Sequence, residues 1–233
     1  MEKVAVLVPV YNEEDTIEYF FKEFSKVLKK EYKFSFVVVN DGSTDNTEEV
    51  VINLKKKMGY PVKLVSLPRN VGQHAAILFG IENIDNSVDF VIISDVDLQN
   101  PPNLSVEMIN FLKRGNFEIV YGIRPSVKMG NGFLSFLFWT LLCTFSSMEI
   151  PGNQTPLKVF NNSFLRKIKS LDNKVSFVPI VLASVRARVG FFPVPTVPRR
   201  LGSSKYNLLS KIRLFLKALY YVFLLRVIQR RKE

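Results

Sequence analysis

The chain is expected to fold as one α/β domain around a mostly parallel central sheet. Three observations predict this. Short β-branched apolar runs end in polar turn residues, amphipathic helical stretches separate them, and 233 residues suffice for one core but leave little room for a second. The single cysteine, Cys143, excludes a disulfide framework or a multi-thiolate zinc site, and the single histidine, His74, excludes multi-histidine metal centres.

Residues 4–8 read as the first strand, entered from Met1-Glu2-Lys3 without the basic and long apolar regions of a secretory signal, so a cytoplasmic location is expected. A helix is expected over 14–30, where Ile17, Phe20, Phe21, Phe24, Val27 and Leu28 share one face. Strands at 34–39, 62–65, 90–93 and 118–121 then alternate with helices at 47–58, 73–84 and 103–113. Such alternation implies right-handed crossovers, with ligands binding beyond the carboxyl ends of the strands.

Those strand ends are acidic. The first leads into Pro9-Val10-Tyr11-Asn12-Glu13-Glu14, the second into Asn40-Asp41-Gly42-Ser43-Thr44-Asp45, and the fourth into Ser94-Asp95-Val96-Asp97-Leu98-Gln99-Asn100. Asp45 and Thr47 suit helix capping. Carboxylates two apart at a strand end, Asp95 and Asp97, can reach the same side, where a hard cation or ligand hydroxyls would offset their repulsion. Magnesium or manganese, held by one or two carboxylates plus substrate phosphates, is the expected cation. Taken alone, the motif is equally an acidic turn that ends a strand.

Charge is split along the chain. Residues 1–118 carry a net −5, whereas residues 119–233 carry +16, with Glu149, Asp172 and Glu233 as their only acids. The basic half suggests a phosphate-rich partner, against the alternative of a merely solubilising surface. Nucleic acid is not the expected partner, because no reading helix or ribonucleoprotein motif is present and the acidic strand ends would have no use.

Several motifs occur in order: Val6-Leu7-Val8-Pro9-Val10-Tyr11-Asn12-Glu13, Asn40 to Asp45, Arg69-Asn70-Val71-Gly72-Gln73, the stretch 95–102, Tyr121-Gly122-Ile123-Arg124 and Arg199-Arg200-Leu201-Gly202-Ser203-Ser204-Lys205-Tyr206. Together they resemble the family 2 glycosyltransferases of the GT-A fold, above all the polyprenyl-phosphate sugar transferases such as dolichol-phosphate mannose synthase. The resemblance implies a GT-A, Rossmann-like domain over 1–205, with a nucleotide-sugar half at 1–118 and an acceptor half at 119–205. It further implies that Pro9, Tyr11, Glu13 and Asp41 form the base and ribose pocket, that Asp95 and Val96 lie beside the nucleotide, and that Asp97 and Gln99 hold Mg2+ or Mn2+. Arg124, Arg199 and Lys205, with Asp97, match the catalytic positions, the three cations contacting donor or acceptor phosphates. The implied reaction inverts C1 by in-line displacement.

Transfer to a sugar hydroxyl usually needs a carboxylate base, which the acid-poor second half hardly offers; a polyprenyl phosphate is already anionic and needs cations instead. A sugar hydroxyl of a lipid-linked or surface glycan is the alternative acceptor. Where relatives carry a Gly-Asp/Ser-Phe-Arg segment, this chain has Pro151 to Lys158, with Lys158 in the place of the arginine. The uncharged stretch 133–148 is short for a membrane span, and 206–233 reads as a basic amphipathic helix. Together they suggest a peripheral enzyme on an anionic inner membrane face, with a homo-oligomer left open.

Overall fold

The computed structural model describes residues 1–27, 32–124, 140, 144, 151–171, 176–195 and 220. Apart from Thr140, Thr144 and Tyr220, the uncharged stretch 133–148 and the expected helix over 206–233 lie outside these residues, as do Trp139, Cys143, Glu149, Asp172, Arg199 and Lys205.

The sheet is built from β1 (Glu2–Val10), β2 (Tyr32–Asn40), β3 (Val62–Ser66), β4 (Phe90–Ile93), β5 (Ile119–Ile123), β6 (Gln154–Asn161) and β7 (Val189–Pro193). Their order is β3-β2-β1-β4-β6-β5-β7. All pairings are parallel except those of β6, which runs against both β4 and β5. Crossover helices α1 (Ile17–Ser25), α2 (Thr47–Lys57), α3 (Gln73–Asn83) and α4 (Pro102–Arg114) connect the parallel strands, and α5 (Asn162–Lys169) and α6 (Val178–Ala183) follow β6.

Alternating side chains split the core into two layers. Val4, Val6, Val8 and Val10 of β1 pack with Phe20, Phe21 and Phe24 of α1 and Met108, Ile109 and Leu112 of α4. Ala5 and Leu7 face the other way, onto Ala76, Ile77 and Ile81 of α3 and onto α5 and α6. Helix α3 sits close because Gly80 has no side chain: a Cβ there would lie 2.2 Å from Leu7 Cδ1.

The nine elements expected for residues 1–121 all form, with ends shifted by a few residues. The first helix begins at Ile17 rather than 14, because the Glu13 carbonyl accepts the Thr16 and Ile17 N–H groups and starts the turn there. Four elements were not anticipated: β6, α5, α6 and β7. Asn161 caps α5, its side-chain oxygen accepting the Phe164 N–H at 3.0 Å.

Candidate functional site

The loops after β1 and β2 are laced together before any ligand is considered. Asn12, at φ 53°, accepts the Thr44 N–H on its side-chain oxygen at 2.8 Å, and its own N–H donates to Ser43 Oγ at 3.0 Å. Thr47 Oγ1 accepts the Glu13 N–H at 2.8 Å, while the Glu13 carboxylate accepts the Thr16 hydroxyl. Asp45 takes the Thr47 N–H at 3.0 Å and the Glu14 N–H at 3.3 Å. Burial pushes the Asp45 carboxyl up, but the Thr47 hydroxyl and these N–H groups outweigh it and leave it below the ordinary range. Asp45 is therefore a loop-fixing residue rather than the helix cap expected of it, since the N-cap position of α2 is Asn46.

Asp41 is buried, and each of its oxygens accepts one backbone N–H, from Val71 at 2.7 Å and from Gly72 at 3.0 Å. The next residue, Gly42, has φ 65°, and a Cβ there would lie 2.4 Å from the Arg69 carbonyl carbon. Only glycine combines that left-handed backbone with so close an approach. One residue beyond this clasp, Gln73 Nε2 donates to Asp95 Oδ1 at 2.7 Å. The Arg69-Asn70-Val71-Gly72-Gln73 motif thus ties Asp41, after β2, to Asp95, after β4.

Beyond β4, burial alternates. Asp95, Asp97 and Gln99 are half-buried, whereas Val96, Leu98 and Asn100 are buried. Val96 and Leu98 pack into the core beside α1 and α4, so the two carboxylates and the amide are left on the open side. Leu98 at φ 54° makes the turn, and Asp97 Oδ1 accepts the Gln99 N–H at 3.1 Å. Arg124, at the end of β5, donates from Nη2 to Gln99 Oε1 at 3.3 Å, and its buried Nε has no hydrogen-bond partner among the described residues. Asn153 brackets Arg124 by donating to its carbonyl and accepting its N–H, both at 3.1 Å.

Of the residues singled out in the sequence, Tyr11, Glu13, Asp41, Asp95, Asp97, Gln99 and Arg124 all lie at the carboxyl ends of β1, β2, β4 and β5. Pro9 is buried within β1 opposite Val39, and Val96 contributes its side chain to the core rather than to the open rim. His74 packs on Phe177, with ring centroids 4.4 Å apart. Gln73 carried no assigned role in the sequence, although the motif containing it did stand out. Lys158 is 7% exposed on β6, and burial lowers its ammonium to about 8 while Asp95 pulls it upward.

Oxygen-only donors on one turn suit a hard divalent cation. Among the described residues no group of three His, Cys, Asp or Glu is placed to hold a metal, so Asp97 and Gln99 would need ligand oxygens to complete a site. A cavity of about 610 Å3, lined by Glu118, Lys167, Arg186 and Arg188, lies at the opposite end of β5. There Glu118 already binds Lys167 at 2.7 Å and the Arg188 N–H at 3.2 Å, so the cavity belongs to a structural ion pair.

The profile of Glycosyl transferase family 2 matches residues 5–170. The chain belongs to that family. An undecaprenyl-phosphate 4-deoxy-4-formamido-L-arabinose transferase of Edwardsiella ictaluri is 30% identical over 91% of this chain and 65% of its own length. A dodecaprenyl-phosphate galacturonate synthase of Rhizobium johnstonii is 26% identical over 96% of this chain and 68% of its own. The chain thus spans about two thirds of the length of these curated relatives. The fold is shared with glucosyl-3-phosphoglycerate synthase of Mycobacterium tuberculosis, solved with Mn2+, UDP-glucose and phosphoglyceric acid, at a TM-score of 0.62 and 17% identity over 96% of this chain and 79% of that one. This family 2 chain therefore has the GT-A-like α/β architecture expected for it.

Proposed function

We propose that this chain moves a sugar from a nucleotide diphosphate to a polyprenyl phosphate at the inner membrane face. The observation that carries the reading is the one-sided array of Asp95, Asp97 and Gln99 at the strand ends, joined through Gln99 to Arg124. The names of the two relatives support the lipid-phosphate acceptor, and the Mn2+ and UDP-glucose bound by the M. tuberculosis enzyme support the donor and the cation.

In this reading a lipid phosphate oxygen attacks the sugar C1 as the bond from C1 to the nucleotide diphosphate breaks, inverting that carbon. The attacking oxygen is already an anion, so no proton has to be removed. Asp97 and Gln99 would hold Mg2+ or Mn2+, which supplies positive charge to the departing diphosphate. Arg124 adds a fixed cation at the same edge, preorganised by Gln99 and Asn153. Arg199 and Lys205 complete the proposed phosphate-binding set. The Asp41 clasp holds the 69–73 segment as one wall of the donor pocket, with Tyr11 and Glu13 on the neighbouring loop.

The test is transfer of labelled sugar from a panel of UDP-, GDP- and dTDP-sugars, with and without polyprenyl phosphate, alongside Asp97→Ala. We expect lipid-dependent product and a loss of at least ~100-fold in Asp97→Ala, the scale of a removed charge-stabilising group. Mn2+ binding in the presence of nucleoside diphosphate, read by electron paramagnetic resonance, should weaken in the same variant. Product that forms without the lipid phosphate would instead favour a sugar-hydroxyl acceptor.

A further inference from the structure

Strand β6 carries an irregularity beside the site. Tyr121 pairs with Lys158 and Ile123 with Gln154, so a step of two residues on β5 faces a step of four on β6. Lys158 Nζ reaches back into the surplus segment, donating to the Thr155 carbonyl at 3.0 Å and the Pro156 carbonyl at 3.4 Å, and lies 5.6 Å from the centroid of the Tyr121 ring. Lys158 is also the partner of Ile93 on β4, two residues before Asp95.

Resting on the donor site proposed above, we infer that Lys158 is a positioning residue whose buried ammonium closes the β6 bulge and braces the Asp95 carboxylate at the donor rim. A neutral donor such as glutamine could satisfy the two carbonyls, so the bulge alone does not explain a buried charge. Burying an ammonium is costly unless an opposite charge answers it. The carboxylate acting on Lys158 is Asp95, and it favours the charged form. Gln73 from α3 hydrogen-bonds Asp95 on one side, and the Lys158 charge acts on it from β6, where Lys158 is the register partner of Ile93 two residues earlier.

The full chain is titrated with UDP, GDP and dTDP plus MnCl2 by calorimetry. Lys158→Gln, which keeps a donor for the carbonyls, should bind the accepted nucleotide at least ~10-fold more weakly, and Lys158→Arg should restore most of the loss. Turnover should separate the roles: kcat falls in Lys158→Gln while KM for the lipid phosphate stays within a factor of ~2. Wild-type affinity in a folded Lys158→Gln overturns the inference. A wild type that binds none of the three nucleotides overturns the donor-site reading instead, and the Lys158–Asp95 pairing is then decided separately. In Asp95→Asn the 15N signal of Lys158 Nζ should titrate at lower pH than in wild type, and an unchanged titration overturns the pairing. That measurement also decides the matter should Lys158→Gln fail to fold.

Discussion

In the half of the sheet built on β3, β2, β1 and β4, carboxylates collect most of the backbone N–H groups, with Lys63 on the Asn83 carbonyl as an exception; in the half built around the reversed β6, lysines collect backbone carbonyls, with Glu118 on the Arg188 N–H as the exception. Asp41 takes two N–H groups, Asp45 two and Glu14 one. Lys158 takes the carbonyls of Thr155 and Pro156, Lys169 those of Glu82 and Ile84, and Lys167 that of Arg186. The sequence's split of −5 and +16 is therefore partly an internal division of labour. A short aspartate fixes a loop's shape, because its oxygens sit only two bonds from Cβ. A long lysine can stabilise a carbonyl cluster farther from its own strand. The difference teaches which charges are spent on the fold: Asp41 and Asp45 take backbone N–H groups from neighbouring loops, whereas the Asp97 bond to the Gln99 N–H closes its own turn.

The sharpest way to break the acidic side of this comparison is Gly42→Ala. A Cβ would meet Arg69 backbone at 2.4 Å while the residue stays at φ 65°. Left-handed backbone and overpacking together should cost about 3 kcal/mol or more. Urea unfolding should read this loss, and nucleotide binding should fall with it, since the same backbone approach holds Val71 and Gly72 on Asp41. A loss under about 1 kcal/mol would show that the clasp yields and that the carboxylates do not fix the loops.

The same contrast decides what could be read in the sequence. Strands β1 to β5 and helices α1 to α4 were legible because each apolar run keeps one period and ends in turn residues. The acidic rim was legible because parallel strands put their carboxyl ends on one edge. Strand β6 was not, since Pro156 and the buried Lys158 interrupt its apolar run and the bulge breaks its alternation. Nor were α5, hidden behind Asn161-Asn162-Ser163, and β7, whose Val-Gly-Phe-Phe-Pro is too short to show a period. At the site, the strand-end position of Asp41 is legible but its bonds to the Val71 and Gly72 N–H groups are not, because those partners lie 30 and 31 residues away and no local pattern reveals them. Gln73 was missed as a partner of Asp95 for the same reason.

Glu118→Gln probes the basic half, where an ion pair rather than an N–H clasp is at stake. Burial pushes the Glu118 carboxyl up, but Lys167, the Arg188 N–H and the Ser163 hydroxyl outweigh it and hold it below its ordinary 4.5. A lowered folded value means that the stabilisation is fully present above 4.5 and disappears as pH falls through the folded value. Glu118→Gln should therefore cost about 2 kcal/mol at neutral pH, and the gap from wild type should narrow as pH falls below the ordinary 4.5 and through the lower folded value. A gap that is constant with pH would show that shape, not charge, matters at this position.

The smallest effect is expected from Lys169→Met, which separates carbonyl capture from ion pairing within the basic half. Lys169 Nζ donates to the Ile84 carbonyl at 2.6 Å, the Glu82 carbonyl at 3.3 Å and Asn86 Oδ1 at 2.9 Å, all at the carboxyl end of α3. A cation there meets both unpaired carbonyls and the negative end of the helix dipole. Burial lowers its ammonium, while Glu82 and Asp85 pull it upward. Methionine keeps the stem's packing and removes the three donors, so the loss should be about 1 kcal/mol. Hydrogen exchange should show faster opening at the end of α3, with Gln73 at its other end unaffected. If carbonyl capture dominates, the loss persists at high salt, because short bonds to partly buried acceptors are weakly screened. A loss that vanishes at high salt would assign Lys169 to its neighbouring carboxylates, and the division between N–H-collecting acids and carbonyl-collecting lysines would then hold only at Lys158 and Lys167.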